Sequence, residues 1–93
     1  MIIQVNKYQE DNPIIEVILA TWIADYVLEI KFSDGKTNKV DFKKFLSNSS
    51  HPEIRKYLNQ DYFKLFKIKD GNLIWNDYEM IFPIEDLYSG MIL

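Results

Sequence analysis

Two Asp-Gly dipeptides set the tightest limit on what this chain can become. Asp34-Gly35 and Asp70-Gly71 each separate stretches in which apolar and polar residues alternate. Asp-Gly supplies the positive φ values that a tight hairpin turn needs. Alternation with a period of two marks a strand with one face in a core. Before the first turn, Tyr26, Leu28, Ile30 and Phe32 fill one face, while Glu29 and Lys31 point to the other. Thr37 to Phe42 reads as the return strand. Around the second turn, Phe66 to Lys69 alternates and Leu73-Ile74-Trp75 returns. Upstream, Ile14 to Ile23 reads as a further strand, joined to the next by a turn at Ala24-Asp25. Its odd positions Ile15, Val17, Leu19 and Ile23 form its apolar face, broken only by Thr21. Ile2 to Val5 is a short candidate strand, followed by a polar, irregular stretch from Asn6 to Pro13. After a break at Asn76-Asp77, the residues Tyr78, Met80 and Phe82 alternate with Glu79 and Ile81 until Pro83.

Helical spacing enters between the hairpins. Phe42, Phe45 and Leu46 lie at i, i+3 and i+4, with Asp41 placed as an N-cap. Ser50-His51-Pro52-Glu53 has the form of a capping box with Pro in the first turn. Ile54, Tyr57 and Leu58 continue it as one apolar stripe, and Asn59 is placed to end it. Ile84, Leu87 and Tyr88 fit a last helical turn closed by Gly90. These patterns predict a single α+β domain over residues 1–93. It would be a small antiparallel sheet built from the two Asp-Gly hairpins, with short helices packed on one face. Such short helices take their stability from packing rather than propensity.

Composition mainly excludes. Without cysteine there is no disulfide, thiolate nucleophile or cysteine-bound metal. His51 is the only histidine, which rules out a multi-histidine metal site and speaks against a Ser-His-Asp triad. Three glycines are too few for a phosphate-cradling loop. The carboxylate pairs Asp77/Glu79 and Glu85/Asp86 fit solubilising charge better than a catalytic pair in a cleft. No catalytic residue, metal site or cofactor is therefore assigned, and the chain is expected not to be an enzyme. The net charge of −3 argues against a dedicated nucleic-acid binder. The charge is nonetheless uneven. Lys36, Lys39, Lys43 and Lys44 meet only Asp41 in their segment, whereas Asp77, Glu79, Glu85 and Asp86 have no basic residue among them. The acidic end is expected to meet a basic protein partner, with Tyr78 and Tyr88 as aromatic anchors. The apolar residues Met91-Ile92-Leu93 are expected to pack on the domain or on another chain. The first residues lack the pattern of a signal peptide, and no apolar run is long enough to cross a bilayer, so a cytoplasmic protein is expected.

Several of these landmarks occur in a familiar order. Phe32-Ser33-Asp34-Gly35 is followed by Val40-Asp41-Phe42 and Leu46. Then come Leu58, Phe63 and Phe66-Lys67-Ile68, Ile74-Trp75-Asn76-Asp77, and finally Glu85-Asp86-Leu87-Tyr88. Over residues 14 to 90 this resembles the small bacterial family called domain of unknown function 2442. The resemblance implies an antiparallel α+β domain with no established activity or cofactor. It also implies a genetic neighbourhood in which some members pair with another short protein, in the manner of toxin–antitoxin modules. Phe32, Asp34, Gly35, Val40, Asp41, Trp75 and Leu87 would be its structural positions. The chain departs from that pattern at Asn76-Asp77-Tyr78, where many members carry Pro or Gly after the Trp. The flanking segments are also too short for the helix-turn-helix that accompanies some members.

The expected function is a non-enzymatic protein-interaction module, antitoxin-like or a bacterial or phage regulatory partner. Its partner would be another protein, such as the product of a neighbouring gene, or a second copy of the chain. The alternatives are a nucleic-acid accessory protein using Lys36 to Lys44 and a carboxylate-dependent metal enzyme.

Overall fold

A computed structural model describes residues 14–92. The short strand expected at Ile2 to Val5, the stretch to Pro13 and Leu93 lie outside the described residues. Six strands form two three-stranded antiparallel meanders. The first contains β1 (Val17–Ala24), β2 (Val27–Phe32) and β3 (Thr37–Asp41). The second contains β4 (Lys67–Lys69), β5 (Asn72–Trp75) and β6 (Met80–Ile81). Between the sheets run three short helices, α1 (Lys43–Asn48), α2 (Pro52–Arg55) and α3 (Gln60–Phe63). A 3-10 turn at Lys56–Leu58 separates the last two. Helix α4 (Ile84–Ser89) closes the described chain. The α+β class and both Asp-Gly hairpins are as expected, but the strands divide between two sheets rather than joining one.

The two hairpins solve the same problem differently. At the β2–β3 connection, Gly35 N–H donates to the Phe32 carbonyl at 2.9 Å and Phe32 N–H donates to the Lys36 carbonyl at 2.8 Å. Ser33-Asp34-Gly35 is thus a three-residue loop in which only Gly35, at φ 95°, needs a left-handed backbone. At the β4–β5 connection, Lys69 pairs directly with Asn72. Both residues of that loop, Asp70 (φ 52°) and Gly71 (φ 80°), are left-handed, as in a mirror-image two-residue turn. The tip of this second hairpin is tied to the first sheet, because Val17 N–H donates to the Gly71 carbonyl at 2.9 Å.

Strand β1 does not keep the expected inward face. Its pairing with β2 slips between Val17 and Leu19. The extra residue of the bulge exchanges the two sides of the strand beyond it. Val17 is buried, but from there Ala20 and Trp22 pack on the core, while Leu19 and Ile23 face solvent.

Capping also differs in detail. Asp41 stands one residue before the N-cap position of α1, held by Phe42, yet its carboxylate accepts from Lys43 N–H at 2.9 Å. The capping box at Ser50 does not form. Pro52 occupies the first turn of α2, so His51 takes the N-cap position without a side-chain bond. Asn59 ends the 3-10 turn, as expected, with its N–H on the Lys56 carbonyl, and it also starts the next helix, since its side chain accepts from Asp61 N–H at the head of α3. The last strand shrinks to Met80–Ile81, because Asn76, Asp77 and Tyr78 all adopt positive φ.

The core lies between the sheets and the helices and is centred on Trp75, which is fully buried. The rings of Phe42, Tyr57, Phe63, Phe66 and Phe82 surround it at centroid distances of 5.6–6.3 Å. Its indole N–H donates to the Phe63 carbonyl at 2.7 Å, closing α3 onto β5. Ile92 joins the core, so that residue of the apolar tail packs on the domain, while Met91 remains exposed. None of the described helices is long and apolar enough to cross a membrane.

Replacing Trp75 with Phe should cost about 2–4 kcal/mol in urea unfolding, by opening a cavity and leaving the Phe63 carbonyl unpaired in the core. A loss below about 1 kcal/mol would mean that the indole is not the centre of the packing.

Candidate functional site

The least regular backbone in the described chain follows Trp75. Asn76 (φ 47°), Asp77 (φ 54°) and Tyr78 (φ 69°) form three consecutive left-handed residues, none of them glycine. Asn and Asp tolerate this region and Tyr much less, at a cost of order 1 kcal/mol per residue. The turn is closed by Glu79 N–H, which is shared between the Trp75 carbonyl at 3.0 Å and the Asn76 carbonyl at 3.2 Å. The geometry carries the Asp77 and Tyr78 side chains out to solvent. Tyr78 rests beside the second hairpin, with Lys69 Nζ 5.5 Å from its ring centroid and its hydroxyl 3.5 Å from Asp70.

Glu79 faces the other way. One carboxylate oxygen accepts from Lys56 Nζ at 2.6 Å, from the Tyr57 hydroxyl at 2.6 Å and from the Asn76 amide at 3.2 Å. The Lys56 ammonium, then the Tyr57 and Asn76 donors, pull the Glu79 carboxyl down to about 2. Burial, reinforced by the Glu79 carboxylate, pushes the Tyr57 phenol up, so it stays a neutral donor. The result is a fixed latch: an anion held by a cation and two neutral donors.

Beside this latch lies a cleft lined by Lys56, Tyr57, Tyr62, Leu65, Lys67 and Asn76. The 3-10 turn, α3, the start of β4 and the left-handed turn each contribute to its wall. Among the described residues no group of three or more His, Asp or Glu side chains could hold a metal ion.

The six residues expected to meet a partner are distributed unevenly. Asp77 and Tyr78 project from the left-handed turn, and Glu85 and Asp86 are exposed on the first turn of α4. Glu79 is committed to the latch. Tyr88 is half-buried and committed to the first hairpin. Its hydroxyl donates to Asp34 at 2.6 Å, its ring stacks edge-on with Phe32 at 5.0 Å, and Lys36 Nζ lies 4.0 Å over it. Lys36 also donates to the Tyr88 carbonyl, and Asn38 donates to the carbonyls of Leu87 and Tyr88. Of the basic segment, Lys36 is therefore occupied, whereas Lys39, Lys43 and Lys44 stay exposed. Sequence reasoning missed Lys56, Tyr57, Tyr62, Leu65 and Lys67. Only Tyr57 carried a signal, and that signal placed it in a helical core stripe.

Fold and site together define a small α+β domain of two meanders closed around a tryptophan-centred aromatic core. The chain belongs to the family described as protein of unknown function (DUF2442), which matches residues 17–92. No curated protein and no solved structure matches it. The motif positions are accounted for by the fold. Phe32, Val40, Trp75 and Leu87 are buried, Asp41 serves α1, Gly35 makes the turn, and Asp34 receives the Tyr88 hydroxyl.

Glu79 titrates below its ordinary value of 4.5, so its latch contributes stability that is complete above about pH 5 and is lost as pH falls through 4.5 toward 2. Urea midpoints measured from pH 7 to pH 2 should therefore fall less steeply for Glu79→Gln than for the parent. The Tyr88 hydroxyl and the Lys36 N–H hold Asp34 low as well, so a smaller acid limb should survive in the variant. An acid limb unchanged in Glu79→Gln would rule out the latch.

Proposed function

We propose that this chain is a non-enzymatic protein-interaction module that presents the left-handed turn and the first turn of α4 to a partner protein. The observation that carries this reading is the turn itself. Three residues are held in a costly backbone conformation, and what the cost achieves is the projection of an acid and an aromatic ring into solvent. Strained backbone of this kind gathers at recognition sites. Tyr is a frequent anchor of interfaces, and exposed acids steer a basic partner into register. Asp77, Glu85 and Asp86 have no cation within ion-pair distance among the described residues, so their charge is free for that role.

The partner is a protein with a basic face, and the product of a neighbouring gene is the first candidate. In an antitoxin-like arrangement in the cytoplasm, binding would mask an activity of that product. The nucleic-acid alternative is weaker, because Lys36 is spent on Tyr88 within the domain.

Co-expression of the two genes should yield a complex on co-purification, one that weakens as salt rises. Replacing Asp77, Glu85 and Asp86 together by Lys should reduce its affinity at least tenfold, and Tyr78→Ala should weaken it further. If the neighbour is a toxin, growth rescue by this chain should fail with the same variants. Binding indifferent to all four positions would overturn the assignment. Asp77→Gly separates strain from contact: it should raise stability by about 0.5–1 kcal/mol while still weakening the complex.

A further inference from the structure

The cleft beside the latch is independent of the partner-binding reading, and its chemistry indicates a ligand of its own. It encloses about 400 Å³, within the range of roughly 300–1,000 Å³ typical of small-molecule sites. Its walls are mixed. Tyr62 and Leu65 line it with apolar surface and remain 49% and 62% exposed. Two lysines, Lys56 and Lys67, line the same space. Lys56 is neutralised by Glu79 at 2.6 Å, but only one of its three donors is used there. Lys67 has neither an ion-pair nor a hydrogen-bond partner for its side chain among the described residues. One positive charge is thus left uncompensated beside an apolar wall, and Asn76 stands at the same rim with its amide already bound to Glu79.

We propose that this cleft binds a small monoanion in which a carboxylate is carried on an aromatic or aliphatic body. The carboxylate pairs with Lys67 and takes a remaining donor of Lys56. The body lies on Tyr62 and Leu65. A neutral ligand would leave the Lys67 charge unanswered. A dianion would bring one negative charge more than the site can balance, and would compete with Glu79 for Lys56. The Glu79 latch makes this selective, because it removes one of the two positive charges before the ligand arrives and holds Tyr57 and Asn76 in place.

The test is a titration of the isotopically labelled full chain with 4-phenylbutyrate, with 4-phenylbutanamide as the neutral twin and inorganic phosphate as the anion without a body. Backbone resonances of Tyr62, Leu65, Lys67 and Asn76 should move together with 4-phenylbutyrate. The amide should bind about tenfold more weakly, the loss expected for one charge-assisted contact, and phosphate should leave these resonances still. Lys67→Gln should erase the preference for the carboxylate over the amide. Leu65→Ala should weaken both organic probes alike. Both side chains are exposed, so the variants are expected to keep the parent's thermal midpoint, which circular dichroism checks. Equal binding of acid and amide, shifts that map to the lysines of β3 and α1 instead, or no shifts at millimolar probe would each overturn the proposal.

Discussion

Everything else in this domain depends on the burial of the Trp75 indole. Its side chain fills the space between the two meanders, and its N–H satisfies the Phe63 carbonyl at the end of α3. One residue thereby joins β5, the helical segment and, through Phe42, the end of β3. The strands of the second sheet are two to four residues long, and strands so short do not hold together alone. The three helices between the sheets have four to six residues each and are below the length at which a helix stands by itself. A shared aromatic centre makes these marginal pieces mutually dependent. The two small sheets thus share one core in a chain without cysteine.

A second junction closes the first sheet. The β2–β3 hairpin and α4 are about fifty positions apart, yet Asp34 accepts the Tyr88 hydroxyl while Lys36 and Asn38 donate to the carbonyls at the end of α4. Those carbonyls belong to the last turn of a helix, where the regular four-residue ladder supplies no donor, and Leu87 receives only the cap N–H of Gly90 at 3.2 Å besides. The hairpin therefore adds its side-chain donors to the cap that Gly90 makes at the end of α4. Gly90, at φ 81°, turns the chain back so that Ile92 reaches the core. In this chain Phe32-Ser33-Asp34-Gly35 and Leu87-Tyr88 are two sides of one contact.

The ease of reading the sequence followed the range of the forces involved. Strand β2 was legible because its alternation is unbroken and it pairs on both sides. Both Asp-Gly turns were legible because the left-handed glycine is a local requirement. Strand β1 was misread at Leu19 and Ile23, since a single bulge inverts the pattern and nothing in Val17-Ile18-Leu19 announces it. Ser50 looked like a cap, but Pro52 moved the helix start by one residue. The latch was not legible at all: Lys56 and Tyr57 reach Glu79 across more than twenty residues, and only packing brings them together. Glu79 and Tyr88 read as partner-facing by their chemistry, but both are bonded within the domain. Asp77 and Tyr78 read the same way, and both are exposed.

That division follows from how the left-handed turn is held. Its first anchor is the Trp75 carbonyl, fixed because the indole beyond it cannot move without opening the core. Its second is Glu79, fixed by three donors on its carboxylate. A strained segment clamped at both ends by groups that are expensive to release cannot relax, so the strain persists in the native state. The same clamp removes freedom that a partner would otherwise have to quench, and a surface ordered beforehand loses less entropy when it is bound. The turn can hold out Asp77 and Tyr78 because Trp75 and Glu79 face inward. On the proposed partner-binding reading, a change at either anchor would therefore alter recognition without touching the contact surface.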